Sequence, residues 1–264
     1  MDRRKFIGNL AVGGLGLLAV PGLLRADDDS GLGEGSQLFP VPTNTGISGN
    51  VLIVGGGMAG AALAKYLRLW GGTGVNVTLI EKAGSYTSNI MSNKVLTGQL
   101  TMNNLSYAYS TLVNHYGVSL IQDTVTAIDA NGKKVSRQNG ADIAFDRLVL
   151  VPGLEFDPMP GMSSLEEYDT LVPHAWQAGP QTELLRKQLL ALKAGTRVGD
   201  VVITIPKAPF RCPPGPYERA CVIADWLKTN NVSSKVIVLD ANAEVLVEKT
   251  NFMNAFNGAY GYIV

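Results

Sequence analysis

Apolar runs and polar, glycine-rich stretches alternate along the chain in a rhythm that predicts alternating strands and helices. Val51-Leu52-Ile53-Val54 is a continuous apolar tetrad of the kind buried on both faces of a parallel sheet. A glycine turn follows, then an apparent helix over 59–69 and a strand over 77–80, which together make one βαβ unit. Short strands are predicted over 118–122, 124–129 and 148–151, with a turn at Gly132-Lys133-Lys134. Leu184, Leu185, Leu189, Leu190 and Leu192 recur among polar residues and predict a helix over 182–193. A second strand, helix and strand follow over 201–205, 217–227 and 236–239. The fold class expected is therefore α/β, with two βαβ units in tandem.

The first 45 residues break this rhythm. Arg3-Arg4-Lys5-Phe6-Ile7 precede an apolar run to Leu24 that Gly8, Gly13, Gly14, Gly16, Pro21 and Gly22 interrupt. Glycine and proline make the run a poor helix and too weakly apolar for a membrane anchor. Residues 1–26 read instead as a twin-arginine signal peptide, with Leu24-Arg25-Ala26 as an imperfect cleavage site. That route carries folded proteins, so the expectation is a periplasmic protein loaded with a cofactor before export and without a stable membrane span once the signal is removed. Residues 27–45, rich in Asp, Gly, Ser, Pro and Thr, read as a solvated leader.

Composition narrows the partners. Of 264 residues, 22 are Lys or Arg and 22 are Asp or Glu, which leaves no basic excess for a phosphate backbone and excludes nucleic acid as the expected partner. Two cysteines cannot make a disulfide-rich scaffold, and His115 and His174 are too few to argue for a metal.

Gly55-Gly56-Gly57-Met58-Ala59-Gly60 fits the G-x-G-x-x-G fingerprint between a predicted strand and a predicted helix. Gly55 permits the tight turn, Gly57 lets backbone N–H groups approach a pyrophosphate, and Gly60 lets helix and strand pack closely. Glu81, at the end of the second strand, is placed to accept hydrogen bonds from an adenosine ribose. The pattern implies a Rossmann-like domain binding FAD or NAD, and by itself it leaves that choice open. Phe145-Asp146-Arg147-Leu148-Val149-Leu150-Val151-Pro152-Gly153 is similar to the segment that closes the FAD domain of flavoproteins with two dinucleotide-binding domains, which favours FAD. In the second unit, Pro206, Pro209, Pro213, Pro214 and Pro216 occupy the loop where a nicotinamide dinucleotide would need amide donors. Proline has none to give, so NAD(P)H is not the expected electron source.

The same loop carries Cys212 just before a helix expected to begin near Pro214 or Tyr217. A helix N-terminus and Arg211 would favour its thiolate, the species that attacks sulfur. Composition alone favours the alternative, a buried structural thiol. Glu218, in the first helical turn, is a candidate proton acceptor or a simple cap. Cys221, amid Ala220, Val222 and Ile223, is expected in the core, too far along the helix to pair with Cys212.

Ala208-Pro209-Phe210-Arg211-Cys212-Pro213-Pro214-Gly215-Pro216-Tyr217-Glu218-Arg219-Ala220 closely resembles the flavoprotein subunit of flavocytochrome c sulfide dehydrogenase. Pro173-His174-Ala175-Trp176-Gln177-Ala178-Gly179 and Met91-Ser92-Asn93-Lys94-Val95 resemble that family too. The resemblance implies a pyridine nucleotide-disulfide oxidoreductase-like fold, with an FAD-binding domain over 46–160 and a partial second Rossmann-like domain over 161–264. It implies a periplasmic enzyme that oxidises sulfide through Cys212, with Glu218 beside it, and passes electrons by way of FAD to a c-type cytochrome subunit. The flavin-binding set it implies is Gly55, Gly57, Met58, Ala59, Gly60, Glu81, Lys82, Asn93, Val125, Pro152 and Gly153. Many members attach FAD through a cysteine where Asn89 stands here, so binding is expected to be noncovalent. Members also continue past the position of Val264, into the region holding the partner of the redox cysteine. A truncated chain that binds FAD weakly alone is therefore expected. A non-catalytic FAD-binding fragment and a sulfide:quinone oxidoreductase-like enzyme are the alternatives.

Overall fold

The computed structural model describes residues 38–261, and from Pro40 onward the chain clusters as one unit. The signal peptide expected over 1–26 and most of the expected leader lie outside the described residues. In chain order the elements are β1 (Gly49–Val54), α1 (Met58–Gly71), β2 (Val75–Glu81), β3 (Ser85–Thr87), α2 (Ser92–Thr97), β4 (Ser106–Ala108), α3 (Ser110–Asn114) and β5 (Ser119–Gln122). They continue with β6 (Val125–Asp129), β7 (Lys134–Arg137), β8 (Ile143–Ala144), β9 (Arg147–Leu150), α4 (Glu167–Thr170) and α5 (Pro180–Lys193). The last four are β10 (Val201–Ile205), α6 (Gly215–Thr229), β11 (Val236–Asp240) and α7 (Lys249–Asn257).

The main sheet is parallel, in the order β5-β2-β1-β9. β1 lies inside it, so its apolar run is buried: Leu52 is 1% and Ile53 0% exposed. Val54 stands opposite Ile80 on one side and Leu150 on the other, which brings the carboxyl ends of three strands level. Gly60, Ala64, Arg68 and Gly71 recur along the buried face of α1. Arg68, in the last turn, donates through Nε to the Tyr116 carbonyl (2.6 Å) and through Nη1 to the carbonyls of Gly72 (3.2 Å) and Val75.

An antiparallel sheet β6-β7-β8 adds Val125 and Val135 to an apolar cluster with Leu52 and Ile80. The turn before β7 spans residues 130–133, and Lys134 already belongs to the strand. The second parallel pair, β10-β11, packs against α6, whose Ile223, Ala224 and Leu227 meet Leu189 of α5 in the second core. Val202, Ile237 and Leu239 alternate outward from that pair and remain 54%, 41% and 56% exposed. Among the described residues no helix is long and apolar enough to cross a membrane.

Candidate functional site

The level strand ends build the site. The Gly55 N–H donates to the Ile80 carbonyl (2.9 Å) and the Val151 N–H to the Val54 carbonyl (2.9 Å), so the turn after β1, the end of β2 and the segment after β9 adjoin. Ligands of parallel α/β sheets bind beyond these carboxyl ends. Gly55 has φ +105°, and a Cβ there would lie 2.2 Å from the Val151 carbonyl oxygen. At Gly60 a Cβ would lie 1.9 Å from the Gly55 oxygen. Gly57 is the opposite case: nothing stands within 4 Å of where its Cβ would be. It is the N-cap of α1, no side chain caps that end, and Met58 and Ala59 are exposed in the first turn. A 14-residue helix thus opens into free space with its first amides unclaimed by any side chain.

Glu81 is locked against this turn. Its Oε2 accepts the Gly56 N–H (2.6 Å) and its Oε1 the Ala83 N–H (2.9 Å). Tyr109, 5% exposed, donates its hydroxyl to the Gly56 carbonyl (2.8 Å), so Gly56 is gripped on both polar groups. Burial, then the charge of Glu81, pushes the Tyr109 phenol up to about 12. Because the folded value lies above the unfolded one, this contribution is intact below pH 10 and lost as pH rises through 12. The stability difference between the chain and Tyr109→Phe is expected to shrink by about 2 kcal/mol between about pH 9 and 12 in urea titrations. A constant difference would refute the assignment.

Lys82 is exposed beside Glu81, and Pro152 and Gly153 are exposed just past β9, with Gly153 at φ +85°. Val125 packs its side chain into the cluster around Leu52 and pairs with Arg137 in the ladder. Asn89 is exposed before α2. Asn93, in α2, points Oδ1 at Arg219 Nε of α6 (2.7 Å).

Cys212 is exposed at φ +54°, which removes the buried-thiol alternative, and its carbonyl accepts the N–H of Gly215, the first residue of α6 (2.9 Å). Glu218 is exposed in the first turn and caps nothing. Cys221 departs from the sequence reading in being half-buried, and burial followed by the Glu218 carboxylate raises its thiol. Both cysteines are free. The glycine turn follows β1 of the main sheet and Cys212 follows β10 of the second parallel pair, and α2 contacts both α5 and α6 of the second core.

Two residues at these places escaped the sequence reading. Tyr109 gave no local signal, since its grip on Gly56 spans 53 positions of chain. Arg219 could have been found, because it stands on the stripe with Ile223 and Trp226 that α6 buries.

Residues 49–199 match the family model for pyridine nucleotide-disulphide oxidoreductases. Residues 182–264 match the central region of the sulfide dehydrogenase (flavocytochrome c) flavoprotein chain. A type II NADH:quinone oxidoreductase of Staphylococcus saprophyticus is 29% identical over 119 residues, 45% of this chain and 29% of that protein. Among solved structures, the sulfide:quinone oxidoreductase of Aquifex aeolicus superposes with a TM-score of 0.66 at 24% identity, over 80% of this chain and 49% of that one. NDH2 of Plasmodium falciparum gives a TM-score of 0.60 at 13% identity, over 81% and 47%. These two likenesses carry the fold. The chain spans about half the length of the solved structures it matches, 49% and 47%, and less of the curated relative.

Proposed function

The chain belongs to the pyridine nucleotide-disulphide oxidoreductase family, and from that premise we propose that it is the flavoprotein part of a sulfide dehydrogenase delivering electrons to a c-type cytochrome subunit. The observation that carries this reading is the exposed Cys212 at the head of α6, within a stretch matched by the sulfide dehydrogenase flavoprotein model, in the same chain as an uncapped dinucleotide turn.

The turn fits an adenine dinucleotide. The free space at Gly57 and the amides entering α1 at Met58 and Ala59 would take the diphosphate. Glu81 keeps lone pairs for a ribose hydroxyl beyond the two amides it already accepts. Lys82, Asn93, Val125, Pro152 and Gly153 complete the proposed set. Asn89 offers no thiol, so the attachment is noncovalent. When bound, FAD supplies a two-electron acceptor that can release electrons singly to a haem.

Cys212 is reachable by hydrosulfide. Once Cys212 is held in a disulfide, hydrosulfide would attack its exposed sulfur, forming the S–S bond of a Cys212 persulfide as the disulfide breaks and its second sulfur leaves as a thiolate. Glu218, exposed in the first turn of the same helix, takes the proton. Cys221 lies half-buried in α6 and unpaired with Cys212, so the reading takes the disulfide partner of Cys212, as the family resemblance implies, to be a thiol other than Cys221. The twin-arginine start supports work in the periplasm.

The test is anaerobic addition of sulfide to the full chain loaded with FAD, following reduction of a c-type cytochrome. Sulfide-dependent reduction that falls by about a hundredfold or more in Cys212→Ser is expected. Equal rates for the two proteins would remove Cys212 from the reaction. Reduction of a quinone in place of the cytochrome would move the chain to the sulfide:quinone class.

A further inference from the structure

Arg219 is 7% exposed, and among the described residues no carboxylate pairs with it. A guanidinium buried without a counter-charge is costly, so the contacts that keep it there are informative. All of them are neutral and they come from three directions. Nε donates to Asn93 Oδ1 (2.7 Å) at the start of α2, and Nη2 to the Ala175 carbonyl (3.3 Å). The guanidinium also lies over the Trp176 ring, 5.7 Å from its centre.

The Trp176 ring in turn abuts the head of α6: a Cβ on Gly215 would lie 2.1 Å from its Cη2. Gly215 is the residue whose N–H holds the Cys212 carbonyl. The strut behind the ring is also fixed. The Trp176 N–H donates to His174 Nδ1 (3.1 Å), His174 stacks on Phe156 with centres 3.7 Å apart, and the Ala175 N–H donates to Gln181 Oε1 (3.1 Å). α2 is held at its other end by Arg186 of α5, whose Nη1 donates to the carbonyls of Val95 (2.8 Å) and Leu96 (2.9 Å).

We propose that Arg219 is a positioning residue for the proposed reaction: it clamps α6 to α2 and, through Trp176 against Gly215, sets where the Cys212 loop stands relative to the flavin-side segment that carries Asn93. The functional half of this statement rests on the reading of Cys212 as the reactive thiol beside FAD. The clamp itself does not. A planar fork with donors in divergent directions suits the task, which a single ammonium meets only in part.

The test uses the full chain with Arg219→Met, Arg219→Lys, Trp176→Leu and Cys212→Ser. Trypsin cuts after Lys207 and Arg211 report on the Cys212 loop, and cuts after Lys133, exposed in the turn before β7, serve as the internal reference. Loop cleavage relative to Lys133 is expected to rise about tenfold or more in Arg219→Met and Trp176→Leu, with Arg219→Lys within about threefold of the parent. With FAD at saturation, a long-wavelength charge-transfer absorbance from the Cys212 thiolate to the flavin is expected in the parent and not in Cys212→Ser, and it is expected to fall about tenfold in Arg219→Met and to be partly restored in Arg219→Lys. A loop-to-reference ratio unchanged in both variants, or cleavage rising equally at Lys133, would overturn the clamp. Should Arg219→Met not fold, Trp176→Leu decides the same ratio. Absorbance retained in Arg219→Met would overturn the positioning of the thiol. Absence of any Cys212-dependent absorbance in the parent would overturn the thiol's place beside FAD, while the cleavage ratio still judges the clamp.

Discussion

Gly60→Ala is expected to destabilise the chain by about 3 kcal/mol or more and to lower its Tm by about 10 °C. The methyl group would have to occupy a point 1.9 Å from the Gly55 carbonyl oxygen and 3.0 Å from Val151 Cγ2. Neither neighbour can yield: Gly55 is tied to β2 through Ile80, and Val151 to β1 through Val54. Gly57→Ala is the informative contrast. Its φ of −64° suits alanine, and its Cβ would meet nothing within 4 Å, so Tm is expected to stay within about 2 °C. Titration with FAD is expected to show binding at least about tenfold weaker, because the methyl group fills the space through which a diphosphate reaches the amides. Loss of stability in both variants, or unimpaired FAD binding by Gly57→Ala, would mean that the open space beside α1 is not a ligand's.

The second large effect is expected at the far end of the same helix. Arg68, 8% exposed, supplies donors to three backbone carbonyls, those of Tyr116, Gly72 and Val75. Arg68→Met keeps much of the side chain's bulk but leaves these acceptors buried without a donor, at an expected cost of about 3 to 5 kcal/mol. Denaturant unfolding measures it directly. FAD binding extrapolated to fully folded protein is expected to be unchanged, since the N-terminal turn of α1 is held separately by Glu81 and Tyr109. A drop of less than about 1 kcal/mol would show that water reaches these carbonyls.

Much of this architecture is legible in the sequence where local pattern and tertiary placement agree. The β1-α1-β2 unit is readable because a strand buried on both faces must be apolar throughout, and because G-x-G-x-x-G meets strict steric demands at Gly55 and Gly60. The strand at 201–205 falls where its apolar run predicts, and the helix after it extends two residues beyond the predicted span at either end. The antiparallel pair β3-β4 was not legible: Ser85-Tyr86-Thr87 and Ser106-Tyr107-Ala108 show no apolar alternation, and only their mutual pairing across 21 residues makes them strands. Cys221 shows the limit of composition, because apolar sequence neighbours on a helix point in different directions, and its own leaves it half-buried. Tyr109 was out of reach for a related reason. What matters about it is a contact with Gly56, which no pattern within its own segment encodes.

The double grip on Glu81 has an entropic consequence. A free glutamate side chain samples many rotamers and loses about 0.5 to 1.5 kcal/mol of that freedom when an incoming hydroxyl immobilises it. Here folding has already immobilised it, since the amides of Gly56 and Ala83 hold both carboxylate oxygens. A hydroxyl donor at this carboxylate would meet an acceptor whose rotamer freedom is already largely lost, which would favour the ribose contact proposed for Glu81.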